Sequence, residues 1–146
     1  MKIALAQINT TVGDFEGNRR LIEKAYLQGG ADGVELVVAP ELAITGYPPR
    51  DLLLKSGFIE GNLIALQDLA KAVGEVGLVV GHVGLSENHT GRRATNAVSL
   101  LHQGKIVATR TKTLLPTYDV FDEDRYFEPA TENTPVEHNG RKLGLT

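Results

Sequence analysis

The 146-residue chain contains no cysteine, which removes several classes of protein at once. Without thiols, these residues form no disulfide framework and no thiolate metal site. No apolar run in the chain approaches the roughly 18 residues that a membrane-spanning helix needs. The first ten residues also lack the long apolar core of a signal peptide. We therefore expect a soluble, cytoplasmic protein with no membrane partner.

The chain also lacks an excess of positive charge. Its 15 Lys and Arg residues are outnumbered by 18 Asp and Glu residues, which gives a formal net charge of −3. Nucleic-acid-binding domains usually present a basic face, so no nucleic-acid partner is expected. The four histidines, His89 among them, show no metal-ligand spacing, and no strand leads into a glycine-rich nucleotide-binding motif. We expect neither a metal nor a cofactor in this part of the protein.

Hydrophobic periodicity predicts an α/β architecture, a mixed sheet with helices against it, formed by one domain over residues 1–146. Apolar residues at helical spacing predict a helix over 19–28, capped by Asn18, and another over 59–73. Short apolar and β-branched runs predict strands, two of which flank a His-Gln-Gly turn as a hairpin. The predicted strands cover 1–8, 34–38, 78–83, 95–101, 105–111 and 142–145, and two loops cover 43–50 and 113–134.

Glu41 is the first candidate for a chemical role. It follows the apolar strand 34–38, and ligand sites in α/β sheets gather where strands end. A carboxylate beside Val38 and Leu42 should be partly withdrawn from water, which suits a general base. The alternative is a turn carboxylate that pairs with a nearby arginine, since structural ion pairs also perturb carboxylates.

Lys112 is the second candidate, because it directly follows the predicted strand 105–111 and enters the longer loop. A lysine in such a position is more often simply solvated. If the strands before Glu41 and Lys112 are neighbours, however, the two side chains can face one pocket. A lysine there would stabilise an oxyanion, which is often the largest contribution to catalysis. The acidic, aromatic stretch 118–127 is either a solvated loop that its aromatic residues hold to the surface, or a lid or specificity wall.

Several segments resemble the nitrilase, or carbon–nitrogen hydrolase, superfamily. The general signals are Lys-Ile-Ala-Leu-Ala-Gln at 2–7, Ala-Pro-Glu-Leu at 39–42 and the lysine that begins the later loop. Two segments are more specific: Gly-Tyr-Pro-Pro-Arg-Asp-Leu-Leu at 46–53 and the stretch 112–127. Both are similar to the amidase domain of glutamine-dependent NAD synthetases, and the similarity extends over the whole chain.

This resemblance implies an αββα sandwich, of which the chain would be an incomplete domain, and a Glu-Lys-Cys triad. Glu41 would be the general base, Lys112 the lysine that stabilises the oxyanion, and Tyr118 a residue that binds the glutamine substrate. The family's cysteine follows a strand similar to the last one in this chain, so the nucleophile is expected just after Thr146. The 146 residues alone are therefore expected to be inactive.

The resemblance also implies the activity of the parent protein, which is glutamine hydrolysis that supplies ammonia for the ATP-dependent amidation of deamido-NAD to NAD. The implied partners are glutamine, a C-terminal synthetase domain that uses ATP and Mg, and further copies in a homo-oligomer. Two alternatives stay open. One is a free-standing amidase or nitrilase acting on another small amide or nitrile. The other is a non-catalytic binding or scaffold half-domain, which would leave an unpaired sheet edge.

Overall fold

A five-stranded sheet forms the centre of the computed structural model, which describes residues 1–55, 57–87, 91–119 and 121–146. Its first three strands pair in parallel, and the last three pair as antiparallel neighbours. Chain order and spatial order are the same. The strands are β1 (Ile3–Leu5), β2 (Leu36–Val38), β3 (Gly77–Leu85), β4 (Ala94–His102) and β5 (Lys105–Thr111).

Two helices, α1 (Phe15–Ala31) and α2 (Phe58–Ala72), cover one face of this sheet. Ile22 of α1 and Leu69 of α2 are buried in one cluster with Val80 of β3. Full burial of an aliphatic side chain of this size contributes about 1.5–3 kcal/mol to stability. The helical spacing of the apolar residues thus decides which side of each helix faces the sheet.

The opposite face of the sheet carries a short hairpin of β6 (Val136–His138) and β7 (Arg141–Leu143). Successive side chains of a strand point to opposite faces, so Val79 points away from the helices. It is buried in a second cluster that contains Val136 of the hairpin. The outer loops hold two shorter helices, a 3₁₀ helix (Arg50–Leu54) and α3 (Glu123–Tyr126).

The structure confirms the predicted α/β class, with a mixed sheet and helices packed on it. The helix predicted over 59–73 agrees with α2 to within one residue at each end. The strand predicted over 142–145 overlaps β7, but it belongs to the separate hairpin. His89, and Val120 in the predicted loop 113–134, lie outside the described residues.

The predicted helix cap at Asn18 is wrong. The helix begins at Phe15, and its N-cap is Asp14, whose carboxylate accepts a hydrogen bond from the first turn. Asn18 is buried inside the helix and donates through Nδ2 to the backbone oxygens of Thr11 and Ile44, at 2.8 and 3.0 Å. An asparagine ahead of an apolar pattern is typical of a cap, but here its amide joins two loops to the helix.

Candidate active site

Glu41 lies on the loop that follows β2 and crosses over β3 at Gly81. The N–H of Ile44 donates to the carbonyl oxygen of Gly81 at 3.3 Å, which holds the loop against the strand. A Cβ atom at Gly81 would lie 2.4 Å from the nitrogen of Leu42 and 2.8 Å from the Cα of Glu41. A glycine in a strand interior often marks such a close backbone approach. Because Gly81 has no side chain, the loop can pass close to β3 and Glu41 can lie over the sheet.

Leu42 turns the chain sharply after Glu41. It adopts a φ of 46° in the left-handed region, and its side chain is fully buried. A non-glycine residue in a sparsely populated conformation of this kind costs about 1–3 kcal/mol and persists only where its surroundings over-determine it. Because such residues cluster at functional sites, the strain at Leu42 supports a role for the carboxylate beside it.

Glu41 and Lys112 meet, although the strands that precede them are not neighbours. The two strands are β2 and β5, and both β3 and β4 lie between them. The sequence predicted a shared pocket on the condition that these two strands are neighbours. That condition is not met. The loop carries Glu41 across β3, and the N–H of Lys112 extends the pairing with β4 at 2.8 Å. As a result, Lys112 Nζ lies 2.7 Å from Glu41 Oε1.

A second carboxylate, Glu123 of α3, completes the charged cluster. Its Oε2 accepts a hydrogen bond from Lys112 Nζ at 3.1 Å. The side chain of Glu123 is 5% exposed, whereas that of Glu41 is 47% exposed. Glu41, which the sequence predicted to be partly withdrawn from water, is therefore far less buried than Glu123.

Two neutral donors hold these carboxylates. Asn96 of β4 is 4% exposed, and its Nδ2 donates to Glu41 Oε1 at 2.6 Å and to Glu123 Oε2 at 3.3 Å. The hydroxyl of Tyr47 donates to the other oxygen, Glu123 Oε1, at 2.9 Å. A buried carboxylate is tolerated only where hydrogen bonds and an opposite charge compensate for its lost hydration. Each Glu123 oxygen therefore has a partner.

The electrostatics of this cluster keep Lys112 charged. Burial is the largest single influence on the pKa of Lys112 and lowers it. The hydrogen bonds and negative charges of Glu41 and Glu123 together outweigh burial, so the pKa lies above its ordinary value. A protonated ammonium fixed in this way is a preorganised donor for developing negative charge.

The cluster opens onto a cavity of about 320 Å³. Glu41, Asn96 and Lys112 form its polar side, and Val79 and Val98 belong to its apolar side. Small-molecule sites typically enclose about 300–1,000 Å³ and combine an apolar wall with a few convergent polar groups. The cavity thus suits a small amide placed beside an acid and a lysine.

Tyr118, the predicted substrate contact, is not among the described residues that line this cavity. It is 69% exposed, and its ring meets that of Phe121 edge-on with centroids 5.5 Å apart. Phe121 in turn contacts Tyr47, with centroids 6.2 Å apart. Tyr118 is therefore connected to the cluster through aromatic contacts, and its role in binding substrate stays a prediction.

Sequence reasoning missed three members of the cluster: Tyr47, Asn96 and Glu123. Glu123 stands in the acidic stretch 118–127, where nothing in the residue pattern distinguishes a buried acid from a solvated one. The usable signal was Gly81, because a glycine inside an apolar strand suggests a close approach of another backbone. Gly81 marks the point where the loop that carries Glu41 crosses β3.

The described part of the chain contains no group of three or more His, Cys, Asp or Glu side chains placed to hold a metal ion. Nor does any described helix have the length and apolar character to cross a membrane. The expectations of no metal, no cofactor and no nucleic-acid partner stay predictions.

Gly81→Ala is expected to destabilise the protein and to move Glu41 away from Lys112. The new methyl group would overlap the loop backbone, and overpacking of this kind typically costs about 1–3 kcal/mol. Urea unfolding measures the cost. Gly30→Ala is the matched control, because a Cβ at this position of α1 meets no atom within 4 Å and alanine favours a helix by about 1 kcal/mol. Equal stability of the two variants would show that the crossing does not require glycine.

Known proteins are similar to this chain in sequence. Residues 2–146 match the carbon–nitrogen hydrolase family. The chain is 43% identical to a glutamine-dependent NAD(+) synthetase from Synechocystis sp., over 99% of this chain and 26% of the relative. It is 38% identical to the glutamine-dependent NAD(+) synthetase of Thermotoga maritima, over 100% of this chain and 25% of that protein. The chain thus spans about a quarter of the length of these curated relatives.

Solved structures share the fold. The glutamine-dependent NAD+ synthetase from Acinetobacter baumannii, in complex with ADP, superposes with a TM-score of 0.88 at 31% identity, over 98% of this chain and 26% of that one. An amidase from Nesterenkonia sp. superposes with a TM-score of 0.80 at 26% identity, over 99% of this chain and 54% of that one. These neighbours confirm the nitrilase-like fold that the sequence motifs predicted. By its sequence match and its fold, the chain belongs to the carbon–nitrogen hydrolase family.

Proposed function

We propose that this chain supplies the acid and the lysine of a glutaminase site whose ammonia is used for NAD synthesis. The observation that carries the proposal is the 2.7 Å contact between Glu41 Oε1 and Lys112 Nζ at the edge of the cavity. The similarity to glutamine-dependent NAD(+) synthetases supports the choice of glutamine. The resemblance of the segments at 46–53 and 112–127 to that family also supports glutamine as the substrate.

The proposed reaction needs a thiol, and none of the 146 residues is a cysteine. We therefore assign the nucleophile to a cysteine outside these residues. Its thiolate attacks the amide carbon of glutamine, Glu41 having accepted the thiol proton, and the Lys112 ammonium stabilises the tetrahedral oxyanion. The same proton is given to the departing ammonia. Glu41 then takes a proton from water, whose oxygen attacks the thioester carbon. The C–S bond breaks, glutamate leaves, and Glu41 returns the proton to the thiolate.

Glu123 has a supporting role in this proposal, because its Oε2 accepts a second hydrogen bond from the ammonium of Lys112. Tyr118 is proposed to contact the glutamine, as its motif implies. The later amidation of deamido-NAD, with ATP and Mg²⁺, is assigned to a synthetase domain outside these residues. Assembly as a homo-oligomer and a cytoplasmic location belong to the same proposal.

Ammonia release from glutamine tests the proposal directly. The 146-residue chain is expected to release none above background, because it has no thiol. A longer protein that joins this chain to its nucleophile, called here the thiol-containing protein, is expected to release ammonia and to lose that activity when the cysteine is replaced by alanine. Turnover by the 146 residues alone would overturn the proposed thiol chemistry.

A free-standing amidase for another small amide is the second candidate function. It is favoured by the superposition on the Nesterenkonia amidase, one variant of which was solved in complex with butyramide and another with acrylamide added to its active-site cysteine. The kcat/KM of the thiol-containing protein for glutamine and for butyramide separates the two candidates. A preference for butyramide, with no NAD formed from deamido-NAD and ATP, would favour the amidase. No turnover of either amide would favour a non-catalytic half-domain.

A further inference from the structure

We infer that Tyr47 is a positioning residue that sets the place of the Lys112 ammonium by orienting the carboxylate of Glu123. This inference rests on the proposed function. Tyr47 does not reach Lys112 through a direct hydrogen bond, and it is not among the described residues lining the cavity beside Glu41. Its effect on the chemistry must therefore pass through Glu123.

The two oxygens of Glu123 have different partners. Oε2 accepts hydrogen bonds from Lys112 at 3.1 Å and from Asn96 at 3.3 Å. Oε1 accepts one from the hydroxyl of Tyr47 at 2.9 Å. The terminal torsion of a glutamate side chain is broad, so packing alone defines it poorly. The Tyr47 hydroxyl therefore fixes the plane of the carboxylate and, with it, the position of the oxygen that faces Lys112.

Tyr47 is well suited to this task because its hydroxyl remains protonated. Burial, followed by the hydrogen bond and the negative charge of Glu123, raises the pKa of Tyr47 far above its ordinary value. The phenol is therefore a donor throughout the range in which an enzyme works. Its ring is also held, since it packs against the buried cluster that contains Leu42 and Phe127.

Without this hydroxyl, Glu123 Oε1 would be a buried carboxylate oxygen with no donor among the described residues. The carboxylate, 5% exposed, would then gain by turning to share Lys112 and Asn96 between both oxygens. Such a turn draws the ammonium away from Glu41. A displacement of about 1 Å in a catalytic group can cost about 10²-fold in rate.

The test is Tyr47→Phe in the thiol-containing protein, which removes one oxygen and keeps the ring. We expect kcat for glutamine hydrolysis to fall about tenfold or more, with KM within about twofold, because the lysine acts on the transition state more than on bound substrate.

Tyr126→Phe is the matched control. The hydroxyl of Tyr126 also donates to a carboxylate oxygen, that of Asp51, at 2.5 Å, but Asp51 makes no hydrogen bond to Lys112 among the described residues. This variant should keep the kcat and the KM of the parent. A fall in kcat equal to that of Tyr47→Phe would show that any lost phenol–carboxylate bond disturbs the site, and the inference would fail.

A double-mutant cycle separates positioning from general loss of structure. In a Glu123→Gln background, Tyr47→Phe should change kcat by less than about twofold, because residues that act through one another are not additive. A further tenfold loss in that background would overturn the inference. If the parent hydrolyses glutamine and Tyr47→Phe is fully active, the inference fails while the proposed function stands. If the parent does not hydrolyse glutamine, the proposed function itself fails.

Discussion

Lys112→Ala is expected to abolish most glutamine turnover and to lower the stability of the fold at the same time. In the thiol-containing protein, kcat should fall about 10²–10³-fold, the usual effect of removing one oxyanion donor. The free energy of unfolding should fall by about 3 kcal/mol, the lower end of the range for breaking a buried ion pair. The lower end applies because the lysine side chain is 25% exposed, whereas its partner Glu123 is 5% exposed.

Two further variants, Lys105→Ala and Lys112→Arg, separate the effect on turnover from the effect on stability. Lys105→Ala removes an exposed lysine from the other end of β5 and should change stability by no more than about 0.5 kcal/mol, with turnover unchanged. Lys112→Arg keeps the positive charge but spreads it over a planar group. It should recover part of the stability and little of the turnover. A Lys112→Ala protein with more than a tenth of the parental kcat would show that the oxyanion has another donor.

The stabilising contribution of Lys112 should also depend on pH in a defined direction. Its pKa is raised in the folded state, so the unfolded chain, with a value near 10.5, releases its proton first as the pH rises. The contribution is therefore fully present below about pH 10.5 and is lost as the pH climbs through the higher folded value. As the pH rises from neutral, the stability difference between the parent and Lys112→Ala should begin to shrink only in that alkaline range.

Residue patterns predicted the helix and the hairpin that depend on contacts between residues close in the sequence. The helix over 59–73 follows from its apolar spacing and agrees with α2 within a residue. The hairpin of β4 and β5 follows from two apolar runs joined by a short turn. The same reasoning failed at Asn18, because a buried amide that bonds two distant loops has the same residue pattern as a helix cap.

The candidate site depended on long-range arrangement, which residue patterns report poorly. Periodicity does not give the order of strands in a sheet, so it left open whether β2 and β5 are neighbours; β3 and β4 lie between them. The meeting of Glu41 and Lys112 depends on the crossing at Gly81, and the burial of Glu123 depends on Tyr47 and Asn96. The family resemblance correctly indicated the family, whereas the roles it implied for single residues stay predictions.

Glu41→Gln is expected to give the clearest separation of chemistry from stability. The amide oxygen of the substituted side chain can still accept hydrogen bonds from Asn96 and Lys112, which both donate to Oε1 in the parent. The substitution removes only the capacity to take a proton and the negative charge. General acid–base catalysis contributes about 10²–10⁴-fold, so kcat should fall by about 10³. Stability should change by less than about 1 kcal/mol, because a carboxylate that is 47% exposed is well solvated.

The companion variant Glu123→Gln decides which of the two acids is the base. Glu123 is buried and accepts three hydrogen bonds, so its amide would place an NH₂ group against a donor and lower stability by about 1–3 kcal/mol. Its kcat should fall less than that of Glu41→Gln, because Glu123 holds the lysine but is not among the described residues that line the cavity. Glu137→Gln, on the exposed side of β6, is the control for the loss of one charge and should match the parent.

If Glu41→Gln kept more than a tenth of the parental kcat while Glu123→Gln lost nearly all of it, Glu123 would be the base. Glu41 would then serve only to hold the lysine.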